Sequence, residues 1–241
     1  MVPRVTVYLH CIVGIGIYLF FDGLLQFRCA DPQEFFAYLA LALLGATLKL
    51  RLPRIRAHVS TSFAFILIGI ANFSLGEAVL LGFCATLVQC LWKPKGKRKA
   101  RQLLFNLGTT VIGVTVAYNP FHYELTQGLH KIPEMLPLAA LLYFVTNTGL
   151  VSGMIALSED EPFRGVWRNL TQQLIAYYLV GGFIATMTIV ASRLWGWQSG
   201  ILILPLLYVT YRYYRDYLLR STGTGNRVPE PTPKLLSERL M

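Results

Sequence analysis

The feature that most constrains this 241-residue chain is a succession of apolar runs, each long enough to cross a bilayer. A hydrocarbon core about 30 Å thick is crossed by a helix of roughly 17–25 apolar residues. Residues 5–27, 35–52, 102–118, 135–157, 170–194 and 201–218 each meet that length. Hydrophobic residues make up 54% and charged residues 14%, against about 25% charged in a soluble domain, so one soluble core cannot absorb the apolar surface. This excludes a disordered chain, a collagen-like chain and an ordinary cytosolic enzyme. The expected fold is an all-α integral membrane protein, a polytopic helical bundle.

Residues 60–92 add an apolar stretch of 33 residues. A single straight helix there would be ~50 Å long at ~1.5 Å per residue, too long for one ~30 Å crossing. The break is expected at Asn72-Phe-Ser-Leu-Gly76. Ser74-Leu-Gly-Glu77 fits the S/T-x-x-E capping box, whose side chains partner the first amides of a new helix. Two short inserted helices of ~24 Å each follow, as two thin spans or as a re-entrant hairpin. The expected total is about eight inserted segments, or six spans plus a hairpin.

Charge orients the set. Of the 22 Lys and Arg residues, 19 fall on one predicted side, including the cluster Lys49, Arg51, Arg54 and Arg56 and the run over residues 93–101. Only Arg28, Lys131 and Arg193 fall on the other. The positive-inside rule then places both termini in the cytoplasm, in a multi-pass protein of the bacterial inner membrane. The same rule accounts for the net charge of +10, so nucleic acid is not an expected partner. Trp92, Trp167, Trp195 and Trp197 lie at span edges, as an aromatic belt requires. The first run exceeds the 7–15 residues of a signal-peptide core and has no small-x-small cleavage site before Asp31, so it reads as a span. Residues 1–220 form the expected membrane domain, and residues 221–241 a Gly/Pro-rich cytoplasmic tail.

Few side chains suggest chemistry. Cys11, Cys29, Cys84 and Cys90 contain no C-x-x-C and read as reduced structural residues. No H-E-x-x-H, G-x-S-x-G or Walker loop occurs, so no enzyme activity and no cofactor are expected. His122, Glu124 and His130 in a predicted outer loop make only a weak metal pattern, and no metal is assigned. Asp22, Glu77 and His10 are the ionisable groups within apolar runs, with capping explaining Glu77. The candidate ligand-binding set is therefore neutral: Asn72, Gln89, Asn106, Asn147, Gln172 and Gln173, with Thr148 and Ser152 beside them. Such groups hold helices together by cross-helix hydrogen bonds or, if they converge, line a cavity for a small molecule. Gly149-x-x-x-Gly153 is a small-xxx-small pattern that reads as close helix packing.

Three stretches carry a family resemblance. The first is Thr61-Ser-Phe-Ala-Phe-Ile-Leu-Ile-Gly-Ile70, continued through Leu75-Gly-Glu77 and Ala85-Thr-Leu-Val-Gln-Cys-Leu-Trp92 to Leu103-Leu-Phe-Asn106. The second is Tyr143-Phe-Val-Thr-Asn-Thr148 through Ile155-Ala-Leu-Ser158 and Trp167-Arg168 to Tyr177-Tyr-Leu-Val-Gly181. The third is Leu204-Pro-Leu-Leu-Tyr-Val-Thr-Tyr-Arg-Tyr-Tyr-Arg-Asp-Tyr217. Together they resemble the N-terminal membrane domain of bacterial signalling proteins, known especially from acidobacteria, that carry cytoplasmic GGDEF or HD-GYP modules. The resemblance implies a sensory or anchoring input to cyclic di-GMP turnover, here expected as a stand-alone domain without the catalytic module. Its expected partners are the lipid bilayer, a small-molecule ligand and a cytoplasmic signalling protein. The alternatives are a small-solute transporter or substrate-binding membrane component, and a non-catalytic subunit of a larger membrane complex.

Overall fold

The structure, a computed structural model, describes residues 3–51, 58–60, 62–92, 100–126, 132–202, 205–206, 208–209 and 212–213. Seven α-helices account for nearly all of them: α1 Pro3–Leu25, α2 Pro32–Thr47, α3 Ser62–Asn72, α4 Leu75–Leu91, α5 Ala100–Thr126, α6 Ile132–Glu159 and α7 Phe163–Trp195. A 3-10 turn, Trp197–Leu202, follows α7. Between α2 and α3 the chain forms a ladder absent from the all-helical expectation. Strand β1, Lys49–Arg51, pairs antiparallel with β2, His58–Ser60. The run expected as a span over 35–52 thus leaves the helix at Thr47, where the charged residues and Pro53 begin and a helix would lose its apolar face.

The helix ends follow local chemistry. Asp31 caps α2, accepting from the backbone N–H groups of Gln33 at 3.0 Å and Glu34 at 3.1 Å, with Pro32 at the first helical position. The long apolar stretch breaks where expected: α3 ends at Asn72 and α4 begins at Leu75, with Ser74 as cap. The two pieces are not equal. α3 has 11 residues and α4 has 17, or ~16 Å and ~25 Å.

Among the described residues, three helices are long and apolar enough to cross a membrane: Arg4–Leu25, Met135–Glu159 and Phe163–Trp195. α3 and α4 are shorter apolar helices. The eight-segment count is therefore not reproduced among the described residues. Its last segment, 201–218, and the tail 221–241 fall largely or wholly outside them.

α3 is the axis of the bundle. It packs against α2, α4, α5, α6 and α7, and its residues from Ser62 through Ala71 are all buried. Its sequence, Ser-Phe-Ala-Phe-Ile-Leu-Ile-Gly-Ile-Ala, has no polar stripe to present outward, which suits a helix surrounded by protein. A helix this short leaves unpaired backbone groups at its ends, and lipid has no partner for them. Burial among other helices supplies the partners. His122 of α5 places Nε2 2.8 Å from the Ile70 carbonyl, and the Phe73 N–H donates to the Gly69 carbonyl at 3.1 Å. Because a carbonyl only accepts, His122 donates. The expected loop residue is thus helical and closes the end of α3.

Small residues set the closest crossings. A Cβ on Gly16 of α1 would lie 2.5 Å from Cα of Gly108 on α5, so these two helices meet backbone to backbone. A Cβ on Gly76 would lie 2.6 Å from the Gly23 carbonyl oxygen and 2.6 Å from Cα of Phe27, which locks the end of α1 onto the start of α4. Gly149 and Gly153 act differently from a helix-pair motif: the first makes room for the Trp167 ring and the second for the Tyr8 hydroxyl. That hydroxyl donates to the Leu150 carbonyl at 3.0 Å, fastening α1 to α6.

The α1–α2 turn, the α3–α4 break and the C-terminal ends of α5 and α7 gather at one end of the bundle, called distal below.

Candidate functional site: a charged cleft beside the broken helix

The distal end is organised around residues 72–77. The Ser74 hydroxyl donates to Glu77 Oε2 at 2.7 Å, and the Ser74 N–H donates to the same oxygen at 3.0 Å. The reciprocal bond from the Glu77 N–H to Ser74 Oγ is longer, 3.5 Å, and completes the capping box. Glu77 is only 2% exposed, so its carboxylate is held inside the protein by this cap. Ser74 Oγ also accepts the Arg28 N–H at 3.2 Å, tying the α1–α2 turn to the break. Cys29, in that turn, hydrogen-bonds to Glu77. Burial first, and then the Glu77 and Asp31 carboxylates, push its thiol above the ordinary range.

Next to the break lies an open cleft of about 320 Å³, lined by Glu34, Ala71, Asn72, Ser192, Arg193 and Trp197. Each comes from a different local cause. Glu34 stands in the first turn of α2, directly after the Asp31 cap and before the apolar stretch. Its carboxylate accepts a hydrogen bond from the Asn72 amide. Burial and then the Asp31 charge raise its pKa, while the Asn72 bond pulls the other way. Ala71 and Asn72 are the last residues of α3, and Ser192 and Arg193 belong to the last turn of α7.

Trp197 reaches the cleft because the chain reverses after α7. Gly196 has φ +85°, a left-handed conformation that suits glycine, and it swings the 3-10 turn back over α2. The Tyr38 hydroxyl holds that turn by donating to the Trp197 carbonyl at 3.4 Å. Gly200 packs so close to the Tyr38 hydroxyl that a Cβ would lie 2.6 Å from it. The cleft is therefore lined by an acidic, an amide, a basic and an aromatic residue from three helices and one turn. No ion pair joins Glu34 to Arg193 among the described residues.

The six amides expected as a ligand-binding set do not converge. Asn72 alone lines the cleft. Asn147 donates to the Tyr178 hydroxyl at 3.1 Å, linking α6 to α7. Asn106 donates to Cys90 Sγ at 3.4 Å, linking α5 to α4 at the opposite end of the bundle. Both amides thus bond across helices, as lipid-embedded amides must. Gln89 and Gln173 are half-buried on α4 and α7, and Gln172 is exposed on the outer face of α7. The Thr148 and Ser152 hydroxyls are buried on α6 without a partner among the described residues. Rotation about χ1 brings a helical hydroxyl to the carbonyl one turn earlier, as Thr115 and Thr188 do at 3.0 and 2.8 Å.

Glu34, Arg193 and Trp197 were not singled out by sequence. Arg193 reads as one of three outer cations and Trp197 as part of the aromatic belt. The available signal was weak: all three lie at the same predicted side.

A family model, MASE9, a family of membrane-associated sensory domains, matches residues 19–216. No curated protein and no solved structure matches the chain.

Proposed function

The chain belongs to the MASE9 family, and from that premise we propose that it is an inner-membrane sensory domain acting as an input to cyclic di-GMP turnover. The family match over residues 19–216, which spans α2 through α7 and the end of α1, supports the membrane sensory part of this reading, and the cyclic di-GMP output follows from the sequence resemblance. The 19-to-3 cation split supports cytoplasmic termini and puts the distal cleft on the periplasmic side. A stimulus arriving there meets the end of α3, which runs parallel to α7 through the middle of the bundle. Phe63 at the start of α3 packs on Tyr178 of α7 with ring centroids 4.4 Å apart, and Asn72 at its end shares the cleft with Arg193. Occupancy of the cleft shifts the domain only so far as its two states bind the stimulus with different affinity.

Two measurements test this. A membrane-impermeant maleimide should fail to label Lys97→Cys from outside intact cells; efficient labelling would reverse the orientation. Cyclic di-GMP, quantified in deletion and complemented strains, should move with the chain. A level that stays constant would sink the cyclic di-GMP role while leaving the family assignment in place. The half-length α3 beside a polar cleft also favours, as a second reading, a substrate-binding transport component, since transporters bind solutes at broken helices. Uptake by reconstituted vesicles would decide for transport.

A further inference from the structure

We propose that the distal cleft binds a small zwitterion of the α-amino-acid class, with the ligand's ammonium on Glu34 and its carboxylate on Arg193. The proposal deepens the sensory reading and rests on it for the cleft's periplasmic exposure.

Three observations lead to this ligand class. First, the two charges line one cleft and form no ion pair with each other among the described residues. A simple cation would leave the guanidinium unmatched, and a simple anion would face the carboxylate. A ligand carrying both charges matches both. Second, the neighbouring carboxylates are committed elsewhere: Asp31 accepts the N–H groups of Gln33 and Glu34, and Glu77 accepts from Ser74. Glu34 is the carboxylate that lines the cleft, steadied by the Asn72 amide. Arg193 can take a carboxylate through two parallel N–H bonds. Third, the volume of about 320 Å³ lies at the small end of ligand sites, which run from ~300 to ~1,000 Å³. The lining is mostly polar, with Ala71 and Trp197 adding only a small apolar part, which fits a zwitterion with a short or polar side chain.

The full chain, purified in lipid nanodiscs, should be titrated with the twenty standard L-amino acids while its unfolding temperature is followed. A ligand that binds the folded protein raises that temperature. At least one amino acid should do so. Its α-amide, which lacks the carboxylate, and its N-acetyl derivative, which lacks the ammonium, should each bind at least about tenfold more weakly, since each loses a charge-assisted contact. Arg193→Gln should abolish the preference for the free acid over the amide, and Glu34→Gln the preference for the free amine over the N-acetyl form. Arg193 is exposed and has no ion pair among the described residues, so R193Q keeps the test sound even if E34Q folds poorly. Absence of any shift with all twenty, equal binding of the analogues, or unchanged selectivity in R193Q would each overturn the proposal. Binding without a cyclic di-GMP response would overturn the output reading instead, and a response without binding would overturn the ligand assignment alone.

Discussion

The interior around α3 and the distal cleft both contain polar side chains within a largely apolar protein, yet they use them in opposite ways. Inside, polar groups are mostly consumed in pairs: Asn147 with Tyr178, Asn106 with Cys90, Thr86 with Thr110 at 2.9 Å, and His122 with the Ile70 carbonyl. At the cleft, a carboxylate and a guanidinium share one open space without closing on each other. The contrast teaches that polarity at membrane depth here maintains packing, whereas charge at the rim is left available. Substitutions should therefore divide into those that move stability and those that move response.

The largest stability effect is expected where no polar group is involved. Gly16→Val would press a branched side chain into the Gly108 backbone, and overpacking of this kind costs about 1–3 kcal/mol or more. Thermal unfolding in detergent should show a loss greater than for any cleft variant. A Gly16→Val protein as stable as the wild type would mean that α1 and α5 do not cross there.

His122→Phe comes next. It retains an aromatic ring beside Tyr118, whose ring centroid lies 3.9 Å from that of His122, but removes the donor to Ile70. A buried carbonyl left unpaired costs about 1–3 kcal/mol. His122 lies beyond the apolar stretch 102–118, and burial lowers its pKa more than the carbonyl bond raises it. Its linkage contribution to stability is thus complete above the ordinary value of ~6.5 and is lost as pH falls through the lower folded-state value. His122→Phe should flatten that acid limb. An unaltered limb would assign it to another group.

Asn147→Leu should cost about 1–2 kcal/mol by leaving the Tyr178 hydroxyl without its donor. Asn106→Leu should cost less, about 0.5 kcal/mol, because a thiol sulfur is a weak acceptor. Chemical denaturation of both variants checks the order; a reversal would show that the Asn106 contact carries more than its one bond to Cys90.

The smallest change in stability belongs to the cleft. Arg193→Gln should alter unfolding by under ~0.5 kcal/mol, as surface substitutions usually do, while changing ligand selectivity. A large loss of stability in that variant would erase the contrast between the two regions.

Part of this arrangement was legible in the amino-acid order because its causes are local. Apolar length set the helical segments, and Ser74 with Glu77 marked the break, since a capping box is complete within four residues. The cross-helix role of Asn106 and Asn147 also followed, because an amide at membrane depth has nowhere else to bond. Ligand convergence did not follow. Asn72 joined a cleft while Gln172 turned outward, and no property of either amide alone separates them.

What tertiary structure alone decided is where α3 sits and what meets at its end. The sequence determined that residues 62–72 form an apolar helix that stops before Ser74; it did not determine that five helices surround it. That depends on which faces admit close approach, and Gly16 against Gly108 is a contact between residues 92 positions apart. Likewise Glu34 and Arg193 are separated by most of the chain, and only the reversal at Gly196 and the clasp of Tyr38 on Trp197 bring an indole beside them. Hydropathy and capping act over one or two helical turns. The cleft is made by contacts between turns that the chain visits far apart, and those are settled only when the helices pack.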